Sequence, residues 1–593
     1  MAHACDGRKK HEKLLVAAID FGTTYSGYAF SFLNDYKDDP TKVHVHTKWV
    51  SGIGGLMSLK TPTVLLLNPD KTFNSFGYEA EDKFLQLVED EEHQKYYYFR
   101  RFKMMLYEAR GLKRNMMIVD ANNHSMKALE VIAISINYLK NHLKKVVDNR
   151  IKGFNDDDIH WVLTVPAIWS DGSKQFMREA AEMAGIKREN LDIALEPEAA
   201  SLYCMHLPVD KMHLGGNITD TMRAAPFQKG TKYMVLDVGG GTVDITVHEV
   251  VDKGKLKELD HANGGEWGGT KVDASFENFL SDILGPNTFK KFKTTCPEDY
   301  IDMIREFEAK KRTVQSNKTG KETIKIPIKL IQVYEHDSQK KFIDRLKEKK
   351  LNEKVVFRTD KLRIDVEIVK SWFNDSCCKS VDHMKRLFRN KKNSGVNTIL
   401  LVGGFSECQM LQDTLKSNFS DKRIIIPEEA GLVVLKGAVL FGHNPLTIVS
   451  RIAKCSYGIR VFRDFDSEHH PESKRVQVGK KKFKCKDVFA KHVTKGQELV
   501  IGESQSEERY TPLEADQVSL VFDVYTSSEE KPLFVTDVDC TYVGQLEVEI
   551  PENLDVKDRG VVVSMIFGGT EIRVEGKVEK TGKVTKASFD FLQ

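Results

Sequence analysis

The sequence predicts an α/β fold of two related lobes followed by an all-β region. Three observations predict it. The phrase Ala17-Ala18-Ile19-Asp20-Phe21-Gly22-Thr23-Thr24 near the start returns as Val235-Leu236-Asp237-Val238-Gly239-Gly240-Gly241-Thr242 near the middle, an internal duplication. Around both copies, apolar strands alternate with segments whose apolar residues recur every three or four positions, the spacing of helices. From about residue 448 helical spacing disappears and alternation takes over, as at Val518, Leu520, Phe522 and Val524 and at Leu546, Val548 and Ile550.

The first lobe spans residues 1–230. Residues 14–32 read as paired strands turning at Gly22, and 61–76 as a second pair turning at Asn68-Pro69-Asp70. Helices are expected at 79–91, 98–110 and 127–149. A buried strand at 161–165 ends at Pro166, and Ser170 or Asp171 caps the helix after it, which Gly185 closes. The next strand, Leu191–Leu195, delivers Glu196-Pro197-Glu198 to a turn. After a soft, glycine-containing stretch at 215–230, the second lobe repeats the plan over 231–445. Gly264-Gly265 and Gly268-Gly269 bracket a loop, 300–314 is a helix, and 321–359 is a highly charged, solvated subdomain. A third glycine turn, Gly403-Gly404, follows the apolar strand Thr398–Val402. Residues 446–593 are expected to form a β-sandwich.

At 593 residues, and roughly 150 residues per domain, the chain holds about four structural units. Its 41% hydrophobic and 30% charged residues exclude a disordered or fibrous protein. A net charge of +3 argues against nucleic acid as the main partner. No apolar run approaches the roughly 18 residues that span a bilayer, so a membrane partner is not expected. Nine scattered cysteines without a C-x-x-C pair fit reduced thiols in the cytoplasm. Cys377-Cys378 reads as helix rather than redox pair. His44 and His46 share a strand face without an accompanying Cys or carboxylate cluster, a poor metal site.

The repeated phrase carries the chemistry. Glycines after a strand let the backbone approach a ligand and turn its N–H groups on phosphate oxygens, hydroxyls add donors, and the acid can hold a hydrated cation. A single glycine turn after a strand is usually a turn and nothing more. Two copies in equivalent places point to lobes closing on one nucleotide, because an acid after a buried strand needs a partner or a cation.

With Asp20-Phe21-Gly22-Thr23-Thr24-Tyr25, Val165-Pro166-Ala167, Glu196-Pro197-Glu198-Ala199-Ala200, 236–244 and Leu401-Val402-Gly403-Gly404 in order, the chain resembles the seventy-kilodalton heat-shock proteins of the actin/hexokinase-like fold. Phe102-Lys103-Met104 and Tyr28-Ala29-Phe30-Ser31 look most like the divergent twelfth subgroup. The resemblance implies a stress-response protein that binds ATP or ADP with Mg2+ and hydrolyses ATP slowly by in-line attack of water on the terminal phosphate. It implies Asp20 and Asp237 holding hydrated magnesium, Thr23, Thr24, Gly239, Gly240, Gly241 and Thr242 cradling the phosphates, and Gly22, Tyr25, Gly268 and Gly269 also binding the nucleotide. Glu196, Asp237 and Asp244 would orient water and ions, and Lys103 would stand beside the terminal phosphate. Without the family context, Lys103 is simply an exposed helix lysine and Glu196 a residue constrained by Pro197.

Glu308, Lys311 and Arg312 match the family's helix on the ribose and base, Gly403 and Gly404 its loop under the nucleotide, and Glu428 joins that set. Charged residues at these spacings are also ordinary on a solvated helix. Phe405-Ser406-Glu407 departs from the family, which has a small hydroxyl residue there and later an arginine stacking on adenine. Phe405 becomes the candidate for stacking, and purine choice stays open. Pro166 matches the family's relay, Lys174 stands where an arginine is usual, and 446–451 lacks the linker's leucines and acids. The helical lid is missing, so bound peptide is expected to leave faster. The run from Lys480 to Lys486 is a solvated loop or a contact for an acidic partner.

The leading expectation is a monomeric, ATP-controlled chaperone-like protein whose sandwich binds a polypeptide client or partner protein. A nucleotide-switched adaptor with little turnover and a small-molecule kinase are the alternatives, the kinase having no use for residues 450–593.

Overall fold

The computed structural model describes residues 13–592 apart from 51–56, 109–110, 152, 216–226, 253, 479–481, 515–516, 552–553, 569–570 and 590. Most of the soft stretch at 215–230 and the start of the lysine run therefore lie outside the described residues.

Each copy of the repeated phrase ends the central strand of a mixed sheet, and the two sheets share one plan. In the first, β1 (Leu15–Phe21) pairs antiparallel with β2 (Tyr25–Phe32), which pairs with β3 (His44–Val45). On its other side β1 runs parallel to β4 (Ile159–Val165), and β4 to β5 (Leu191–Leu195). In the second, β6 (Lys232–Val238) pairs antiparallel with β7 (Val243–Asp252), and β7 with β8 (Lys255–Gly265). β6 runs parallel to β9 (Thr398–Val402), and β9 to β10 (Arg423–Pro427). The strand orders β5-β4-β1-β2-β3 and β10-β9-β6-β7-β8 are the same path, so the duplicated phrase marks a duplicated sheet. β1 and β4 are buried along their whole length, which explains their continuous apolar runs.

Two helices join the sheets: α1 (Glu196–Cys204) after β5 and α2 (Val433–His443) after β10. Ala199, Ala200, Leu435 and Ala438 pack with Val16 and Ala18 of β1 and with Val235 and Leu400 of the second sheet in one buried cluster. Small residues let the helices cross closely. A Cβ on Gly437 would collide with the Ala199 carbonyl oxygen.

β11 (Ile448–Ile452) lies past the expected boundary at 446, yet it runs parallel to β8 and extends the second sheet, with Glu498–Val500 beyond it. The remaining strands form a five-stranded sheet (Arg475–Val478, Lys482–Val493, Ser456–Asp464, Ser519–Ser527, Cys540–Glu549) and a four-stranded one (Ser504–Tyr510, Val561–Gly568, Glu571–Val578, Val584–Ser588). Their alternating apolar residues meet in one core, where Ile459, Val524 and Leu546 face Val563, Met565 and Val574. This region docks on the first half. Leu592 is buried in the first half's core, Arg114 donates to the Leu592 carbonyl at 2.8 Å, and the Phe591 N–H donates to Gln175 at 2.8 Å.

Candidate functional site

The glycine turns of the two halves touch. A Cβ on Gly240 would fall on Thr24, and one on Gly241 would lie 2.8 Å from Thr23 Oγ1 and also strike Met104. Gly268 leaves no more room, since its Cβ would lie 2.5 Å from the Gly240 carbonyl oxygen. Gly403 has φ +91°, and its Cβ would meet the Val238 carbonyl at 2.6 Å and Asp237 Oδ1 nearer still. Glycine is required at these positions by contact with the opposite turn or with Asp237, not by chain reversal alone.

Three buried acids, Asp20, Asp237 and Asp244, and the half-buried Glu196 converge behind the turns. Asp20 Oδ2 pairs with Lys60 Nζ at 2.6 Å and its Oδ1 accepts from the Thr164 hydroxyl at 3.2 Å. Burial pushes Asp20 up, but the Lys60 ammonium outweighs it and holds the carboxyl below its usual value. Asp237 faces Asp244 across the β6–β7 pairing, like charges opposite one another. Burial, then Glu196, Asp244 and Asp20, push Asp237 well above its usual value, and its buried Oδ2 has no hydrogen-bond partner. Asp244 accepts from the Ile168 N–H at 2.8 Å and is raised by burial. Burial lifts Glu196 to about 7 against the pull of Lys103, whose Nζ lies 3.5 Å from its Oε1 and 4.8 Å over the Trp169 ring. Fully ionised, four carboxylates against Lys60 and Lys103 leave two negative charges in surplus, which suits a divalent cation held at a distance. Among the described residues no group of three or more His, Cys, Asp or Glu is placed to ligate a metal directly.

Two local expectations change here. Residues 98–110 are not one helix: Tyr97–Arg100 is a strand, Arg101 adopts φ +53°, Phe102–Met104 is a 3-10 turn, and Met105–Glu108 is a short helix. Pairing of Tyr97–Arg100 with Val64–Leu67 overrides the helical spacing, and it carries Lys103 inward, where it is 1% exposed rather than on the surface. Glu196 opens α1 instead of sitting in a turn, because Pro197 fits a helix's first turn.

The residues expected at the purine end are arranged differently. Lys311 Nζ pairs with Asp273 at 2.7 Å and Glu308 at 2.5 Å, and donates to the Gly269 carbonyl at 3.3 Å. Arg312 pairs with Glu308 at 3.0 Å and Glu407 at 3.1 Å. The Phe405 ring, expected to be open for stacking, is 4% exposed in the second half's core and so close to Gly269 that a Cβ there would clash with it. Tyr25 is half-buried beside Glu308 and Arg312, and burial raises its hydroxyl. Gly404 faces open space. Glu428 is exposed at the end of β10, where its N–H donates to the Lys211 carbonyl at 3.0 Å. Sequence reasoning missed Lys60, Thr164, Asp273 and Arg101, which stand in no motif and reach the site through pairing of distant segments.

Behind Asp244 the site connects to the C-terminal region. The residue beside Ile168, Ala167, accepts from Lys454 Nζ through its carbonyl. Arg451 forms two 2.6 Å bonds with buried Glu198, and the Ile452 N–H donates to Glu258 at 2.7 Å. Lys174 pairs with Asp171, which also accepts from the Tyr457 hydroxyl at 3.2 Å.

The family described as Hsp70 protein matches residues 89–484. Heat shock 70 kDa protein 12A of Mus musculus is 34% identical over 634 aligned positions, covering 98% of this chain and 92% of that protein. Heat shock 70 kDa protein 12B of Homo sapiens is 34% identical over 98% of this chain and 91% of its own length. The chaperone protein DnaK of Mycoplasmopsis agalactiae is 23% identical over 61% of this chain and 53% of that protein. The chain belongs to the Hsp70 protein family, in its divergent twelfth subgroup.

Proposed function

We propose that the protein is an ATP-binding, chaperone-like protein in which nucleotide state controls the C-terminal region. Family membership supports ATP binding and an actin-like ATPase fold. In this reading residues 1–230 and 231–445 are the nucleotide lobes, and 446–593 is a β-sandwich that binds polypeptide. The observation that carries it is the pair of matching turns, with the unpartnered Asp237 Oδ2 behind them.

In this reading the turns at Gly22-Thr23-Thr24 and Gly239-Gly240-Gly241-Thr242 would offer backbone and hydroxyl donors to phosphate oxygens, and the Gly268 and Gly269 N–H groups brace the second turn through the Gly241 and Gly239 carbonyls. A hydrated magnesium ion beside Asp20 and Asp237 would neutralise phosphate charge, and the surplus of acid fits it. Lys103 supplies the cation where charge develops on the terminal phosphate, with Trp169 and Glu196 fixing its ammonium. Glu196, titrating near neutrality, orients the attacking water and takes its proton as the bond from the terminal phosphorus to the bridging oxygen breaks. Asp244, held by Ile168, keeps that water in line. Lys454, through the Ala167 carbonyl, and Arg451, through Glu198, are the contacts by which nucleotide state would reach the C-terminal region.

No helix among the described residues is long and apolar enough to cross a membrane. Single-turnover hydrolysis by the full chain, with and without a hydrophobic peptide, tests the proposal. We expect slow, Mg2+-dependent hydrolysis that the peptide accelerates. Turnover indifferent to peptide would refute the chaperone reading, and failure to bind ATP would refute the nucleotide reading.

A further inference from the structure

The purine end of the cleft is an unbroken chain of alternating charge: Arg101, Asp273, Lys311, Glu308, Arg312 and Glu407. Arg101 Nη2 bonds Asp273 Oδ2 at 2.8 Å, and Asp273 Oδ1 accepts from Lys311 Nζ at 2.7 Å. Lys311 continues to Glu308 at 2.5 Å, Glu308 to Arg312 at 3.0 Å, and Arg312 Nη1 to Glu407 at 3.1 Å. An ammonium has three donors, and those of Lys311 are all used, on Asp273, Glu308 and the Gly269 carbonyl. Arg312 directs Nε and Nη2 to Glu308 and Nη1 to Glu407, so both sides of its fork are engaged. Lys311 and Asp273 are 3% and 1% exposed.

Resting on the nucleotide reading above, we infer that this site recognises nucleoside triphosphates through their phosphates and discriminates weakly among bases, and that Glu407 sets this by engaging Arg312. For Lys311 to reach a ribose hydroxyl it would have to leave a buried carboxylate, exchanging a charge-assisted bond for a neutral one. The Arg312 guanidinium is tied edge-on to Glu308 and Glu407, so its face can meet a base only where those two carboxylates fix the plane. Phe405 cannot replace it: its ring is buried, lies against Gly269 and has the Lys311 ammonium 5.8 Å from its centroid. The phosphate end keeps its paired glycine turns and its cluster of acids, so the two ends differ in what they can read.

Calorimetry on the full chain with Mg2+ and, separately, ATP, GTP, CTP and inorganic tripolyphosphate tests this. We expect all four to bind within about tenfold of one another. Glu407→Ala releases one side of Arg312, so ATP and GTP should tighten severalfold while tripolyphosphate is unchanged. ATP binding more than tenfold tighter than GTP, CTP or tripolyphosphate in the unaltered chain overturns the inference and leaves the phosphate reading standing. Equal affinities in the unaltered chain with no response to Glu407→Ala overturn the role of Glu407. Failure of all four to bind overturns the phosphate reading itself.

Discussion

Gly403→Ala concentrates the account in a single methyl group. The residue has φ +91°, where an alanine costs about 1–2 kcal/mol. Its Cβ would lie 2.6 Å from the Val238 carbonyl oxygen and closer to Asp237 Oδ1, where ordinary contact begins at 3.4 Å. The backbone of β6, the Val238 carbonyl included, is pinned by pairing with β7 and β9, so the turn carrying Gly403 must shift and the Asp237 side chain must yield with it, by on the order of 1 Å. Overpacking of this kind costs a further 1–3 kcal/mol, roughly. A 1 Å displacement of a positioned group costs about 100-fold in rate. The expected variant folds with a lowered melting midpoint, binds Mg2+·ATP more weakly and loses about two decades of single-turnover rate. Melting curves, calorimetry and rapid-quench hydrolysis measure the three. A variant that is destabilised yet retains full affinity and rate would refute the placement of Asp237 in the site.

Two further predictions concern the contacts between the duplicated halves and the C-terminal region. Burial raises Glu258 to about 7 from 4.5, so the folded state keeps its proton after the unfolded chain has lost it. Stability then falls as pH rises from 4.5 to 7 and levels off above, a loss of about 3 kcal/mol from this group. Glu258→Gln should raise the melting midpoint at pH 8 and leave it unchanged at pH 4.5. Equal effects at both values would contradict the assignment. Arg451→Leu leaves buried Glu198 without its partner and should cost about 3–5 kcal/mol, most of it recovered in the Arg451→Leu/Glu198→Leu double variant. Melting midpoints of the single and double variants decide this, and additive losses would show that the pair is not coupled.

The duplicated phrase was legible because it is local: strand, acid, glycine and hydroxyl fall within eight residues, twice. Asp20 and Asp237 do lie at equivalent strand ends, and α1 and α2 complete the symmetry the phrase implied. Lys103 was legible only through family resemblance. Its burial depends on Tyr97–Arg100 joining a strand some thirty residues earlier and on Trp169 covering it, neither of which leaves a periodic signal. Lys60 and Asp273 lie outside every motif, since an ion pair needs opposite charge in space and imposes no spacing on the chain. The sequence pattern changes near 446, whereas β11 adds to the edge of the preceding sheet through backbone bonds that any side chains allow. Phe405 read as a stacking residue because its type suits stacking, but type does not reveal which atoms cover a ring.

The central claim is that the acids behind the paired glycine turns exist to hold a cation and phosphates. Asp237→Asn tests it with little cost to the fold, because burial and its acidic neighbours push Asp237 well above its usual value toward the neutral form, with which the amide is nearly isosteric. Calorimetric titration of Mg2+·ATP into the unaltered and Asp237→Asn proteins is the measurement. The account predicts unchanged melting of the nucleotide-free variant and a loss of at least tenfold in Mg2+·ATP affinity, about 1.4 kcal/mol. Equal affinity in the two proteins would contradict it.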